Sequence, residues 1–196
     1  MPHSRKAAPL HATLSADETP EVLMDDDIMR ATDAEVATAR AETRSAFENR
    51  ALMYAAMLDT LEAELGLERA TELMKGAIYQ RGIEVGRRYA DAVAAGDLSG
   101  VADLFVSGSP CEGGLFEPSV AEEPRDGRVV LQMTACPLVD AWRDAGYPPE
   151  RVDLLCEIAA AVDYGTFEGA GLDLEFLERL PSEGCRSCRL ELKLRG

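Results

Sequence analysis

Histidine is almost missing. The chain of 196 residues has two, His3 and His11, both within its first dozen positions. Everything after position 11 therefore works without imidazole, which argues against a Ser-His-Asp triad or a Cys-His pair, where His carries the proton. A His-rich zinc site is excluded on the same ground. Positive charge is scarce as well: 20 Lys+Arg stand against 36 Asp+Glu, a net charge of −16. Binding to phosphate backbones needs Lys and Arg to neutralise them, so nucleic acid is not an expected partner. A polybasic membrane anchor is excluded likewise. No stretch approaches the ~18–20 apolar residues of a membrane span, and Met1 to Ala12 hold no apolar core of a secretory signal. The expectation is a cytoplasmic protein with reduced thiols, in keeping with an odd set of five cysteines, Cys111, Cys136, Cys156, Cys185 and Cys188.

What is present is hydrophobic patterning, with 46% hydrophobic residues, ordinary for one globular domain of this length. Residues 1–31 carry three prolines and six acids with little apolar periodicity, and are read as a disordered acidic arm before a single domain over 32–196. Thr32 and Glu35 have capping-box spacing, which predicts a helix start there. Apolar residues then recur every three or four positions to Leu65, and Gly66 stops the helix. A second helix runs from Leu67 to Gly96, with Gly82 and Gly86 one turn apart, which suggests a close contact with another element. Asp97 caps a short helix over Leu98–Val106. Leu115–Ala121 and Arg128–Thr134 read as a hairpin whose strands are separated by Glu122–Gly127, a charged turn with Pro124 and Asp126-Gly127. Helices follow from Pro137 and from Pro149. Asp163–Gly171 reads as a glycine-rich loop, and Leu172–Leu180 and Ser187–Leu194 as strands. The sum is α+β: two long N-terminal helices packed on a roughly four-stranded antiparallel sheet, with two further helices.

Cys136 directly precedes a helix that begins with proline, where free N–H groups and the helix dipole favour a thiolate; the alternative is a buried, inert thiol. Cys185-Arg186-Ser187-Cys188 is a single CxxC, short of a four-ligand zinc site unless Cys136 and Cys111 supply the missing thiolates. Strand alternation points Cys188 inward. Asp163 and Glu168 bracket the glycine-rich stretch. In a domain without His a carboxylate is the natural proton carrier, and burial beside Tyr164 and Phe167 would raise its pKa; the alternative is a helix-end acid. Trp142 reads as core. Arg143, Arg179, Arg186 and Arg189 are candidate anchors for an anion. Such an anchor matters because the overall field of the chain repels anions.

The stretches LQMTACPLVDAW (131–142), CEIAAAVDYGTFEGAG (156–171) and LEFLERLPSEGCRSCRLEL (174–192), with ELGLERATELMKGAIYQRG before them, resemble the L-2-amino-thiazoline-4-carboxylic acid hydrolase family. The matching positions are Cys136, Asp163, Glu168-Gly169 and Cys188. One departure is Ser187, where relatives often carry His before the last Cys; Cys185 is added here. The resemblance implies hydrolytic opening of a C–N bond in a small cyclic amidine or amide. Cys136 would attack, Asp163 or Glu168 would move protons, and Cys188 would complete the pocket. A variant has Cys136 and Cys188 holding a divalent metal that activates water. The rival reading is a non-catalytic small-molecule-binding or sensing domain of the four-vinyl-reductase type. The expected partner is a small molecule, with a homodimer through the N-terminal helices as a further expectation.

Overall fold

The computed structural model describes residues 26–182 and 184–195, with side chains from position 32 onward. The chain divides into two units, Met1–Val36 and Ala37–Gly196. Of the first, only the opening of a helix is described, so the acidic arm expected over 1–31 lies largely outside the described residues. Apart from the first residues of that helix, everything below concerns the second unit.

Helix α1 (Asp26–Leu65) contains neither Gly nor Pro and is rich in Ala, Leu, Glu and Arg, the residues that cost least in a helix. It begins before Thr32, so the Thr32–Glu35 spacing lies inside the helix rather than at its start. Gly66, at φ 80°, breaks it. Helix α2 (Leu67–Gly86) buries Ala70, Met74, Ile78, Gly82 and Gly86, a strict four-residue stripe that presents one face inward. Its expected continuation to Gly96 is interrupted: a 3-10 turn at Arg87–Tyr89 leads into the short α3 (Ala90–Ala94). Asp97 accepts a 2.9 Å bond from the Gly100 N–H and caps α4 (Leu98–Ser107), as the sequence predicts.

Strands β1 (Pro118–Arg125) and β2 (Arg128–Met133) form the expected hairpin, but β1 starts three residues later than expected and runs through Arg125, so that the turn expected over Glu122–Gly127 shrinks to Asp126-Gly127. Asp126 and Gly127 both take positive φ, 52° and 72°, the conformation a two-residue turn between twisted strands requires. Helices α5 (Pro137–Asp144), α6 (Pro149–Ala159) and α7 (Ala161–Ala170) follow, then β3 (Leu172–Glu178) and β4 (Cys188–Leu194). The sheet order is β1-β2-β4-β3, antiparallel throughout. Leu190 and Leu192 of β4, Val129 and Leu131 of β2 and Leu172 of β3 are fully buried. Among the described residues no helix is long and apolar enough to cross a membrane.

Helix α7 is the main departure from the sequence expectation, because the glycine-rich stretch 163–171 is helical up to Ala170. Its glycines serve packing, not looping. A Cβ on Gly165 would sit 2.1 Å from the Tyr79 carbonyl oxygen, and one on Gly82 would sit 2.3 Å from that of Val162. A Cβ on Gly86 would sit 2.3 Å from the Thr166 carbonyl oxygen, and one on Gly169 would lie less tightly, 3.1 Å from the Ile83 Cα. Helices α2 and α7 thus touch backbone to backbone, at a distance only hydrogen side chains permit. Gly171, at φ 101°, supplies the left-handed residue that ends α7.

Two buried clusters flank this helix pair. One gathers Trp142, Leu155 and Ile158 against Ala51, Ala55 and Leu58 of α1. The other gathers Tyr89, Phe167 and Val101 against the sheet. The Trp142 indole N–H donates to the Ala51 carbonyl at 2.7 Å, which satisfies its one polar atom inside the core.

Candidate functional site

A cavity of about 250 Å³ is lined by Cys136, Cys156, Cys188 and Asp163, with Trp142 and Phe176 among its apolar walls. Each polar group arrives from a different element. Cys136 is the residue before Pro137, where extended backbone turns into α5. Asp163 stands in the first turn of α7. Cys188 opens β4 with its side chain inward, as strand alternation predicts.

Asp163 is the one acidic residue among those lining the cavity. Burial pushes its carboxyl up to about 7, and among the described residues no charge or hydrogen-bond partner offsets this. A carboxyl so placed changes hands with a proton near neutral pH and can act as acid or base. The helix terminus does not win at Cys136. The Val139 and Leu138 N–H groups favour its thiolate, but burial is the larger effect, Asp140 and Asp163 reinforce it, and the thiol is pushed up. Neither N–H forms a regular capping bond to the side chain. Cys188 is pushed up to about 11 by burial, against the 3.4 Å bond its sulfur accepts from the Leu180 N–H and the pull of Arg179. Burial pushes Cys156 up further still. The cavity therefore holds three protonated thiols and one titrating acid.

Glu168 lies elsewhere. It lines a separate open groove of about 710 Å³ together with Lys75, Tyr79, Glu157 and Arg179, and accepts a 2.8 Å bond from the Tyr79 hydroxyl. Asp163 and Glu168 are five residues apart on one helix, roughly 140° around its axis, so α7 presents them to different spaces. Ala160 and Phe176 border both.

The arginines read as anion anchors from sequence are not in the cavity. Arg179 lines the groove and pairs with Asp153 at 3.1 Å, and its Nη1 is buried with no hydrogen-bond partner among the described residues. Arg189 pairs with Glu122 and Glu178 on the sheet. Neither Arg143 nor Arg186 lines either space. Three others, Arg50, Arg81 and Arg88, reach the cavity instead. The sequence alone does not reveal them, because nothing local links helix-surface arginines to a pocket built 50 to 100 residues later in the chain. The donor set fits no metal: among the described residues no group of three or more His, Cys, Asp or Glu side chains is placed to hold one. Cys136 and Cys188 gain no third ligand.

Comparison with known proteins gives a family and a distant structural likeness. The family model described as L-2-amino-thiazoline-4-carboxylic acid hydrolase matches residues 44–191. No curated protein matches the chain. Among solved structures, trafficking protein particle complex subunit 3 from Naegleria fowleri, covalently bound to palmitic acid, is similar over 76% of this chain and 95% of that one, at 14% identity and a TM-score of 0.46. The matched residues run from the middle of α1 to the middle of β4 and include Cys136, Asp163 and Cys188, so the chain belongs to the L-2-amino-thiazoline-4-carboxylic acid hydrolase family.

Proposed function

We propose that the protein hydrolyses a C–N bond in a small cyclic amidine or amide, with the ring held in the Asp163 cavity. The observation that carries this reading is a carboxyl of pKa about 7, without a partner among the described residues, facing a cavity walled largely by apolar side chains. At neutral pH such a group is present in both protonation states, which ring opening needs in succession. Asp163 as carboxylate takes the proton of the Cys136 thiol as sulfur bonds to the ring's amidine carbon. Asp163 as acid then passes that proton to the ring nitrogen as the C–N bond breaks. Water next attacks the thio-linked carbon, Asp163 takes its proton and returns it to the Cys136 sulfur, and the open product leaves. The Leu138 and Val139 N–H groups supply the positive end of α5 while sulfur carries charge.

The test is ring opening of 2-amino-thiazoline-4-carboxylate and related cyclic amidines, followed by mass spectrometry. Asp163→Asn lowers kcat/KM by ~10²-fold or more, and Cys136→Ala abolishes a mass-detectable enzyme adduct. Turnover unchanged in Asp163→Asn removes the proposal. The protonated state of all three thiols favours a second reading, a binding domain that holds its ligand without transforming it. A cavity ligand recovered unchanged after long incubation selects that reading.

A further inference from the structure

The cavity reverses the charge of the molecule around it. The chain carries 36 acidic and 20 basic residues, yet three arginines and a single acid line this space. The acid, Asp163, is only partly ionised at neutral pH. Arg81 is engaged by Glu84 at 2.8 Å. Arg50 and Arg88 are engaged by rings instead. The Arg50 guanidinium lies 4.1 Å from the Phe47 ring centre. That of Arg88 lies 4.9 Å from the Tyr89 ring centre and donates to the Tyr89 hydroxyl at 3.0 Å. Both arginines are exposed, so they stand where the cavity meets solvent, held by aromatic faces that leave guanidinium N–H donors free for an anion.

The interior behind them is large for a single small ring. An engineered apolar cavity of roughly 150 Å³ accommodates benzene, and this one measures about 250 Å³. Its walls include the buried Ile78, Leu138 and Trp142 and the half-buried Val162 and Phe176, all apolar, beside the thiols and Asp163.

We infer that the site takes an amphipathic monoanion: an acid group paired with Arg50 and Arg88 at the mouth, and an apolar body larger than one five- or six-membered ring inside. The inference rests on the hydrolase reading only in placing the ligand in this cavity. It adds two residues that determine specificity and a polarity, with charge outward and apolar body inward. In a chain of this net charge the two arginines also have a kinetic role, since they provide a local attractive field where the global field repels.

Trp142, the sole tryptophan, lines the cavity and reports binding by its emission; calorimetry run in parallel covers a silent fluorophore. The probes are benzoate, 4-butylbenzoate and 4-butylbenzamide. In the wild-type protein 4-butylbenzoate binds about tenfold tighter than either of the others. Arg50→Gln with Arg88→Gln brings the acid-to-amide ratio to near one while amide binding stays within about twofold, and Arg81→Gln leaves the ratio within about twofold of wild type. Circular dichroism checks that the variants are folded. Equal binding of acid and amide in the wild type, a ratio retained by the double variant, benzoate binding as tightly as its butyl derivative, or no binding of the butyl acid at millimolar concentration overturns the inference. None of these probes has a ring to open, so the result stands apart from turnover. Ring opening with no acid preference removes this inference alone, and acid preference with no ring opening removes the hydrolase reading alone.

Discussion

Asp163 and Glu168 share one ten-residue helix and live in different worlds. Asp163 faces the cavity with no partner among the described residues, and burial carries it up to about 7. Glu168 faces an open groove and accepts a hydrogen bond from Tyr79. The residue type is nearly the same and the separation is little more than one turn. What differs is which side of α7 each occupies and what that side touches. The environment of each acid is set by which side of α7 it occupies, not by its place in a motif.

The sharpest way to break this comparison is to remove each carboxyl. Asp163→Asn should cost ~10²-fold or more in ring-opening kcat/KM, and Glu168→Gln less than about threefold. Equal losses in the two variants would dissolve the distinction. The next largest effect concerns the helix contact that separates the two acids. Gly165→Ala places a Cβ 2.1 Å from a backbone oxygen, and α2 and α7 must move apart; a loss of about 1–3 kcal/mol is expected in urea denaturation. A fall in the Asp163 pKa, read by a shift in the pH profile of activity, should accompany it.

The third prediction follows from linkage. The carboxyl has an ordinary value of 3.8 and rises to about 7 in the folded protein, so between these values the folded state binds more protons than the unfolded one. The favourable contribution from protonated Asp163 is complete below about pH 4 and is lost as pH rises through 7. Its full size is on the order of 4 kcal/mol. Asp163→Asn should remove this component of the pH slope in denaturation midpoints. An unchanged slope between pH 4 and 7 would falsify the buried-acid assignment. The smallest effect is a control on the glycines: a Cβ added at Gly76 would meet nothing within 4 Å, so Gly76→Ala should stabilise the protein by up to about 1 kcal/mol.

Much of the scaffold was legible in the sequence because its signals are local. Asp126-Gly127 announces the hairpin, Asp97 caps α4, and Cys136-Pro137 marks the start of α5. The alternation from Cys188 to Leu194 gives the inward face of β4. Helix α7 was hidden because three glycines in seven residues look like a loop when read alone. The spacing of Gly165 and Gly169 repeats that of Gly82 and Gly86, and the pairing of those two four-residue steps is the one signal that would have revealed a helix crossing. The proximity of Cys136, Asp163 and Cys188 in one cavity follows the order of the motifs. The exclusion of Glu168 and the arrival of Arg50 and Arg88 do not, since they depend on which faces of separate helices meet.

Ala160 and Phe176 border the cavity on one side and the groove on the other, and the Phe176 ring is braced by Tyr164 at 5.6 Å between centres. This partition is an insulator in the electrical sense. The raised proton affinity of Asp163 comes from desolvation, and Ala160 and Phe176 are part of the wall that sets it. The proton affinity of the site is therefore tuned by residues that never exchange a proton, and a change of wall material alone resets it.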